Sequence, residues 1–328
     1  MPQPADPGAV LRFVLGTNNV FAVRDACGAL LVDAGPDYAG AWEDLCAQLH
    51  AHGLAPNAIH TVVLTHAHQD HAGLAARWQA AGARIYAGRA DAPALALDPA
   101  ARELERARGR AELLRQGAPL DALTAPTGAG ERYTRWPAPL RMTAVRPDIL
   151  LDHGTTAGTH GRALRVVAAP GHTPGTLLLL DGTGGAVFSG DHLLPRMAPT
   201  SGIQFTQGRR HPSLPAYLAS LRAVRDLPAA RVYPGHGEPF ADLGEAVDWT
   251  IRFLEQRARR TLVALRRGPG TTYELALRLF PHLTPRHLRP VLAETLGLLD
   301  LLAERGLAIA SDTGEPVRWH ATTVRVQD

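Results

Sequence analysis

Four side chains able to bind a metal ion fall within six consecutive positions, His66-Ala67-His68-Gln69-Asp70-His71. They follow Thr61-Val62-Val63-Leu64, an apolar run of strand length, so a turn leaving a buried strand can aim them into one cavity. Three more donors of the same kind sit in Gly/Pro-flanked loops, each again past a β run: Gly171-His172-Thr173-Pro174-Gly175, Ser189-Gly190-Asp191-His192 and Pro234-Gly235-His236-Gly237. Glycine lets the backbone adopt positive φ there and bring a short side chain to a fixed point. One His-x-His pair is commonly just an exposed turn, but donors repeated at four strand ends point to a metal site. His192, beside Asp191, is expected to pack or support, and His153, His160, His211 and His320 are not expected to be ligands.

Positioning these loops takes two similar β/α halves. The first reads as β runs at 11–15, 20–24 and 29–33, a helix over 38–52, the run 61–64, a helix over 72–81, a strand at 84–87 and an Arg/Glu-rich helix over 100–115. The second reads as β runs at 164–168, 176–180, 186–189 and 231–233, with helices over 214–226 and 243–266. Two sheets, each covered by helices on one face and packed together on the other, give an α/β fold of the four-layer αββα sandwich type. Residues from about 98 to 147, many of them Pro, Gly or Thr after 118, read as a lid-like insertion. The catalytic unit is placed at 1–267. After Arg266-Arg267-Gly268-Pro269-Gly270 a helix at 272–279, a turn at 285–288, a helix at 291–305 and β runs at 307–310 and 317–320 read as a small winged-helix-like helical domain over 268–328.

Composition narrows the chemistry. The 328 residues, 45% hydrophobic and 20% charged, describe a globular chain with no stretch that would serve as a signal peptide or membrane span, and a cytoplasmic protein is expected. There is no lysine, which removes Schiff-base and P-loop mechanisms. Cys27 and Cys46, the two cysteines, are not in a Cys-x-x-Cys spacing, so neither a disulfide framework nor a thiolate site is expected. A net charge of +3 is too small to imply nucleic acid by itself.

The segment His66 to His71, followed in order by Gly171-His172, Gly190-Asp191 and Gly235-His236-Gly237, resembles the metallo-β-lactamase superfamily over residues 10–260 or so. The resemblance implies that His66, His68 and His172 bind one metal, that Asp70, His71 and His236 bind a second, and that Asp191 bridges them. It implies the αββα fold as well, and gives Asp33, in Leu31-Val32-Asp33-Ala34-Gly35, a supporting place behind the ligands. Thr176 stands where the hydroxyacylglutathione hydrolases commonly carry a histidine, which counts against that particular assignment.

Imidazoles and carboxylates without thiolate suit two divalent ions; zinc is the choice, with iron or manganese as alternatives. The expected activity is hydrolysis of a small ester, thioester or lactone by a metal-bridging hydroxide that Asp70 orients. Arg209, Arg210 and His211 are candidate contacts to an anionic small-molecule substrate. The rival reading is a metal-dependent endoribonuclease with a C-terminal winged helix. It is not favoured, because residues 284–305 interleave Arg286, Arg289 and Arg305 with Glu294, Asp300 and Glu304 instead of forming a basic stripe. The tail is expected to serve packing or homodimer formation. A non-catalytic protein is disfavoured by the complete ligand set, and a di-iron redox enzyme by the lack of room for a flavin domain.

Overall fold

The computed structural model describes residues 10–124, 140–158, 162–182, 185–199, 203–206, 209–311, 314 and 316–322. Its first sheet has the order β1 (Val10–Leu15), β2 (Asn18–Asp25), β3 (Gly28–Val32), β4 (Ile59–Leu64), β5 (Arg84–Gly88), β6 (Ile149–Leu151). β1 to β3 run antiparallel, and β3 to β6 run parallel. The second sheet has the order β13 (Arg231–Pro234), β10 (Ala186–Gly190), β9 (Leu177–Asp181), β8 (Leu164–Ala168), β7 (Thr156–Ala157), with only the β13–β10 pair parallel.

The unbroken apolar runs of β4 and β9 have a direct cause: both faces of each strand are covered. Val63 packs with Leu177, Leu179 and Phe188 between the sheets, while Val62 and Leu64 face α1 (Ala41–Ala51) and α3 (Ala75–Ala80). Leu178 and Leu180 turn the other way, toward α7 (Ser213–Val224) and α8 (Leu243–Arg266). The layers are therefore helix, sheet, sheet, helix. Parallel pairing of β3, β4 and β5 brings Asp33, His66 and Asp91 to one edge, and parallel β10 and β13 bring Asp191 and His236 past theirs.

Several elements differ from the sequence reading. The helix expected over 72–81 is divided into α2 (Gln69–Ala72) and α3, so the ligand segment begins a helix of its own. At the break, a Cβ on Gly73 would stand 2.4 Å from the Asp37 amide nitrogen, so the backbones touch there. After α4 (Ala92–Leu95), the stretch 98–147 contains α5 (Pro99–Arg115) and α6 (Leu120–Thr124), residues 125–139 lying outside the described residues, and the short β6 and β7 follow it. A hairpin of β11 (Gln204–Thr206) and β12 (Arg209–His211) also escaped the pattern, being three residues a strand. The turn and helix expected over 285–305 form one helix, α10 (Pro285–Glu304). Pro285 opens it, and Pro290, in the second turn, lacks the N–H that would bond four residues back.

α9 (Thr272–Leu279), α10 and the hairpin of β14 (Ala308–Ala310) and β15 (Trp319–Ala321) complete the chain. Leu296, Leu298, Leu299, Leu301 and Leu302 of α10 are buried in the same core as Leu214, Tyr217, Leu218 and Leu221 of α7 and Val247 and Leu254 of α8. On another side Leu113 and Leu123 of α5 and α6 pack with Ala276, Leu288 and Leu292. Gln116 joins the two parts, its Oε1 accepting from Thr272 Oγ1 at 2.6 Å and from Trp319 Nε1 at 3.1 Å. Among the described residues no helix is long and apolar enough to cross a membrane.

Candidate metal centre

The seven expected donors converge. They fall into three groups, His66/His68/His172, His66/His71/Asp191 and Asp70/His71/His236, within each of which the donor atoms lie no more than 4.8 Å apart. His68 Nδ1 is 3.1 Å from His66 Nε2 and 2.9 Å from His172 Nε2. Asp191 stands between the groups: its carboxylate is 3.6 Å from His172 Nε2, 3.4 Å from His71 Nε2 and 3.4 Å from His236 Nε2. Asp70 Oδ2 lies 3.3 Å from His236 Nε2 and 3.7 Å from His71 Nε2.

Partners behind the rings decide which nitrogen is free. His236 Nδ1 lies 2.9 Å from the Thr17 carbonyl, which can only accept, so Nδ1 carries the hydrogen and Nε2 offers a lone pair. His71 Nδ1 donates likewise to Asp33 Oδ2 at 2.8 Å. Thr65 Oγ1 gives its hydrogen to Asp33 at 2.9 Å and so must accept from His66 Nδ1 at 3.1 Å, which leaves Nε2 of His66 bare too. When His71 and His236 are neutral, three Nε2 lone pairs thus face two carboxylates. Asp191 Oδ1 is buried with no hydrogen-bond partner among the described residues. Ring nitrogens and carboxylates converging on one space, with Asp191 Oδ1 met among the described residues only by His71 Nε2 at 3.4 Å, fit divalent cations, and the arrangement is consistent with a dinuclear site.

Electrostatics separates the groups. Burial, reinforced by the neighbouring imidazoles, holds His66 well below its ordinary value and His172 down to about 3, so both rings are neutral at pH 7. Burial would lower His71 and His236 as well, but nearby carboxylates outweigh it: Asp191, Asp70 and Asp33 raise His71 well above its ordinary value, and Asp191 and Asp70 raise His236 to about 9. Burial opposes ionisation of Asp70 and Asp191, yet His71 and His236 hold both below the usual carboxylate range.

A metal entering the second group must therefore displace protons from His71 and His236. Calorimetric titrations of metal-free protein at pH 7 in buffers of different ionisation enthalpy should show net proton release, and affinity should climb as pH rises toward about 9. In the metal-free protein the His236 pairs contribute stability that is complete below the unfolded histidine value near 6.5 and lost as pH rises through about 9. Metal uptake without proton release would contradict this electrostatic picture.

Residues 14–236 match the sequence profile of the Metallo-beta-lactamase superfamily. The chain belongs to that superfamily. Within it, the chain is 29% identical over 317 residues to the probable metallo-hydrolase YqjP of Bacillus subtilis, covering 95% of this chain and 93% of that one. It is 26% identical over 247 residues to the atrochrysone carboxyl ACP thioesterase of Aspergillus fumigatus, covering 75% of this chain and 59% of that one. Among solved structures, the metallo-beta-lactamase family protein TTHA1429 of Thermus thermophilus superposes with a TM-score of 0.78 at 27% identity, covering 97% of this chain and all of the other. The protein is a metal-dependent hydrolase of the metallo-beta-lactamase superfamily.

The strand-end loops of this metallo-beta-lactamase superfamily chain are tied together by side chains of which the sequence reading missed a part. Asp91 is buried and ties two ligand loops together: it accepts from Ala67 N at 2.9 Å, from Thr173 Oγ1 at 2.6 Å and from Gly175 N at 2.7 Å. It stands three residues past β5, an acidic residue beyond a strand end like Asp33 and Asp191, and that pattern could have found it. Asn19 Nδ2 donates to the carbonyls of Pro234 and Gly237, both at 2.8 Å, pinning the His236 loop to the β1–β2 turn. Asn18 brings its amide nitrogen 3.1 Å from His71 Nε2. In the sequence both asparagines read only as turn signals. A Cβ on Gly235 would meet Asp191 Oδ1 at 2.4 Å and His71 Cε1 at 2.6 Å, so the loop can pass the centre only as glycine.

The candidate substrate contacts are placed differently. Arg210 is committed to two carboxylates, Asp300 at 2.5 and 2.8 Å and Glu112 at 3.3 Å, and so does not offer a free guanidinium to a substrate. His211 is exposed and pairs across the hairpin with Gln204. Arg209 is a backbone position of β12 whose side chain lies outside the described residues. His192 is buried without a hydrogen-bond partner for either ring nitrogen among the described residues, and burial lowers it to about 3, so it is a neutral packing ring set edge-on to Tyr217.

Proposed function

We propose that this chain hydrolyses a small ester, thioester or lactone, with an acyl thioester as the first substrate to try. The observation that carries the reading is the convergence of three inward-facing Nε2 atoms with the carboxylates of Asp70 and Asp191. The choice among acyl substrates is supported by distant relatives named as thioesterases: the Aspergillus fumigatus protein, and thioesterase pkgB of Emericella nidulans at 32% identity over 110 residues.

His66, His68 and His172 would hold one divalent ion and Asp70, His71 and His236 another, with Asp191 shared; zinc suits this donor set, as would iron or manganese. Two such ions supply Lewis acidity toward the scissile carbonyl and make bound water acidic near neutral pH. Asp70, with its side chain 26% exposed, is the acid of the centre most open to solvent, placed to accept a hydrogen bond from the attacking water and orient it. Asp33 and Thr17 keep His71 and His236 in the ligand tautomer, and Asp91 keeps the His172 loop against the His66–His71 segment. In this reading α9, α10 and the β14–β15 hairpin form a winged-helix-like unit that packs against the catalytic unit, and the protein works in the cytoplasm.

The test is turnover of an acyl thioester, an acyl lactone and a short single-stranded RNA by metal-quantified protein, with and without chelator. Chelator-sensitive hydrolysis of the thioester or lactone, nearly independent of salt, is expected. RNA cleavage alone, weakening steeply with salt, would replace this reading with the endoribonuclease.

A further inference from the structure

His172 differs from three of the other histidines of the centre in how it is held. His66, His71 and His236 are each fixed from behind by a hydrogen bond at Nδ1. Nδ1 of His172 is buried and has no partner among the described residues. The ring therefore takes its place from the backbone of its turn. Asp91 grips one side of that turn, through Thr173 and Gly175. Gln204 grips the other, its Nε2 donating to the carbonyls of Gly171 at 2.8 Å and His172 at 2.7 Å.

Gln204 belongs to β11, and the opposite strand of the same hairpin is anchored elsewhere. Phe205 pairs with Arg210, whose guanidinium makes a bidentate contact with Asp300 of α10 and reaches Glu112 of α5. Both carboxylates are buried; Glu112 is also held by Arg115 and Gln116, but Asp300 is paired with Arg210, so withdrawing the arginine would leave a buried carboxylate without its partner. One small hairpin thus spans the distance from the C-terminal helix to a ligand turn.

We infer that Gln204 and Arg210 are positioning residues that set His172 through its backbone, so that α5 and α10 fix the geometry of the His66/His68/His172 group. This rests on reading that group as a metal site. It gives the hairpin, which carries the expected anion contacts, a different task from binding substrate.

The test uses the full chain, with cobalt(II) as the probe. Gln204→Met removes both donors at nearly constant volume, with Gln204→Glu as the isosteric alternative should the methionine variant not fold. Arg210→Lys keeps the charge for Glu112 and Asp300 but loses the planar fork. Equilibrium affinity and the visible absorption of bound cobalt report the metal group, and thermal unfolding of the metal-free protein reports the fold.

Gln204→Met is expected to weaken one of the two cobalt ions about 10- to 100-fold and alter its absorption, while unfolding of the metal-free protein stays near the parent. Arg210→Lys should weaken the same ion by less, and the double variant should be no worse than Gln204→Met alone, because the arginine acts through the glutamine. Parent-like affinity and spectrum in Gln204→Met would overturn the inference while leaving the metal centre standing. Additive losses would overturn the link to Arg210. A parent chain that binds no cobalt would instead overturn the metal centre, and this inference with it.

Discussion

Asp191→Ala is expected to lose both metals and to reduce hydrolysis by more than about a hundredfold, since even residues one contact behind a ligand are commonly worth about 10- to 100-fold in affinity. The carboxylate stands within 3.6 Å of His172, His71 and His236, so no other acid in the centre can take its place between the groups. It is also one of the charges that raise His71 and His236. Without it both histidines should titrate lower, and the alkaline loss of metal-free stability should begin at lower pH. Metal-to-protein ratios after gel filtration, together with turnover, decide the matter. An Asp191→Ala protein that keeps two metals and the full rate would show that the carboxylate does not bridge.

Truncation after Arg267 should abolish soluble protein. The segment removed carries Leu296, Leu298, Leu299, Leu301 and Leu302, all buried against α7 and α8. At about 1.5–3 kcal/mol for each buried leucine, their loss is comparable with the roughly 5–15 kcal/mol that stabilises a whole domain. The cut also strips Thr272 and Trp319 from Gln116 and leaves Arg210 without Asp300. Soluble yield and circular dichroism of residues 1–267 are the measurements. A folded, metal-binding fragment would show that the last sixty or so residues are an independent attachment.

The two outcomes bear on different levels of the molecule, and those levels were not equally legible. The ligand segment could be read because its chemistry is local: His66, His68, Asp70 and His71 lie within six residues after an apolar strand, and glycines mark the other three loops. β8 and α8 were found at their observed bounds, since a covered strand and a long amphipathic helix each carry a strong periodic signal. β6, β7, β11 and β12, of two or three residues each, show no clear period, and their existence depends on a neighbouring strand or loop, whereas the equally short β14 and β15 overlap the β runs read at 307–310 and 317–320.

By itself the sequence determined the donor set, the strand-end placement of each donor and the layered β/α architecture, because residue type and alternation along the chain encode these. Only the tertiary structure decided which nitrogen of each ring faces the centre, that Asp91 and Gln204 hold the His172 turn, and that Arg210 belongs to Asp300 and Glu112. It also decided that α10 shares a core with α7. The physical reason is common to all four. A hydrogen bond, an ion pair or a buried contact is settled by whichever partner the fold brings into contact, and partners far apart in the chain, 219 residues for His236 and Thr17, leave no periodic trace along it.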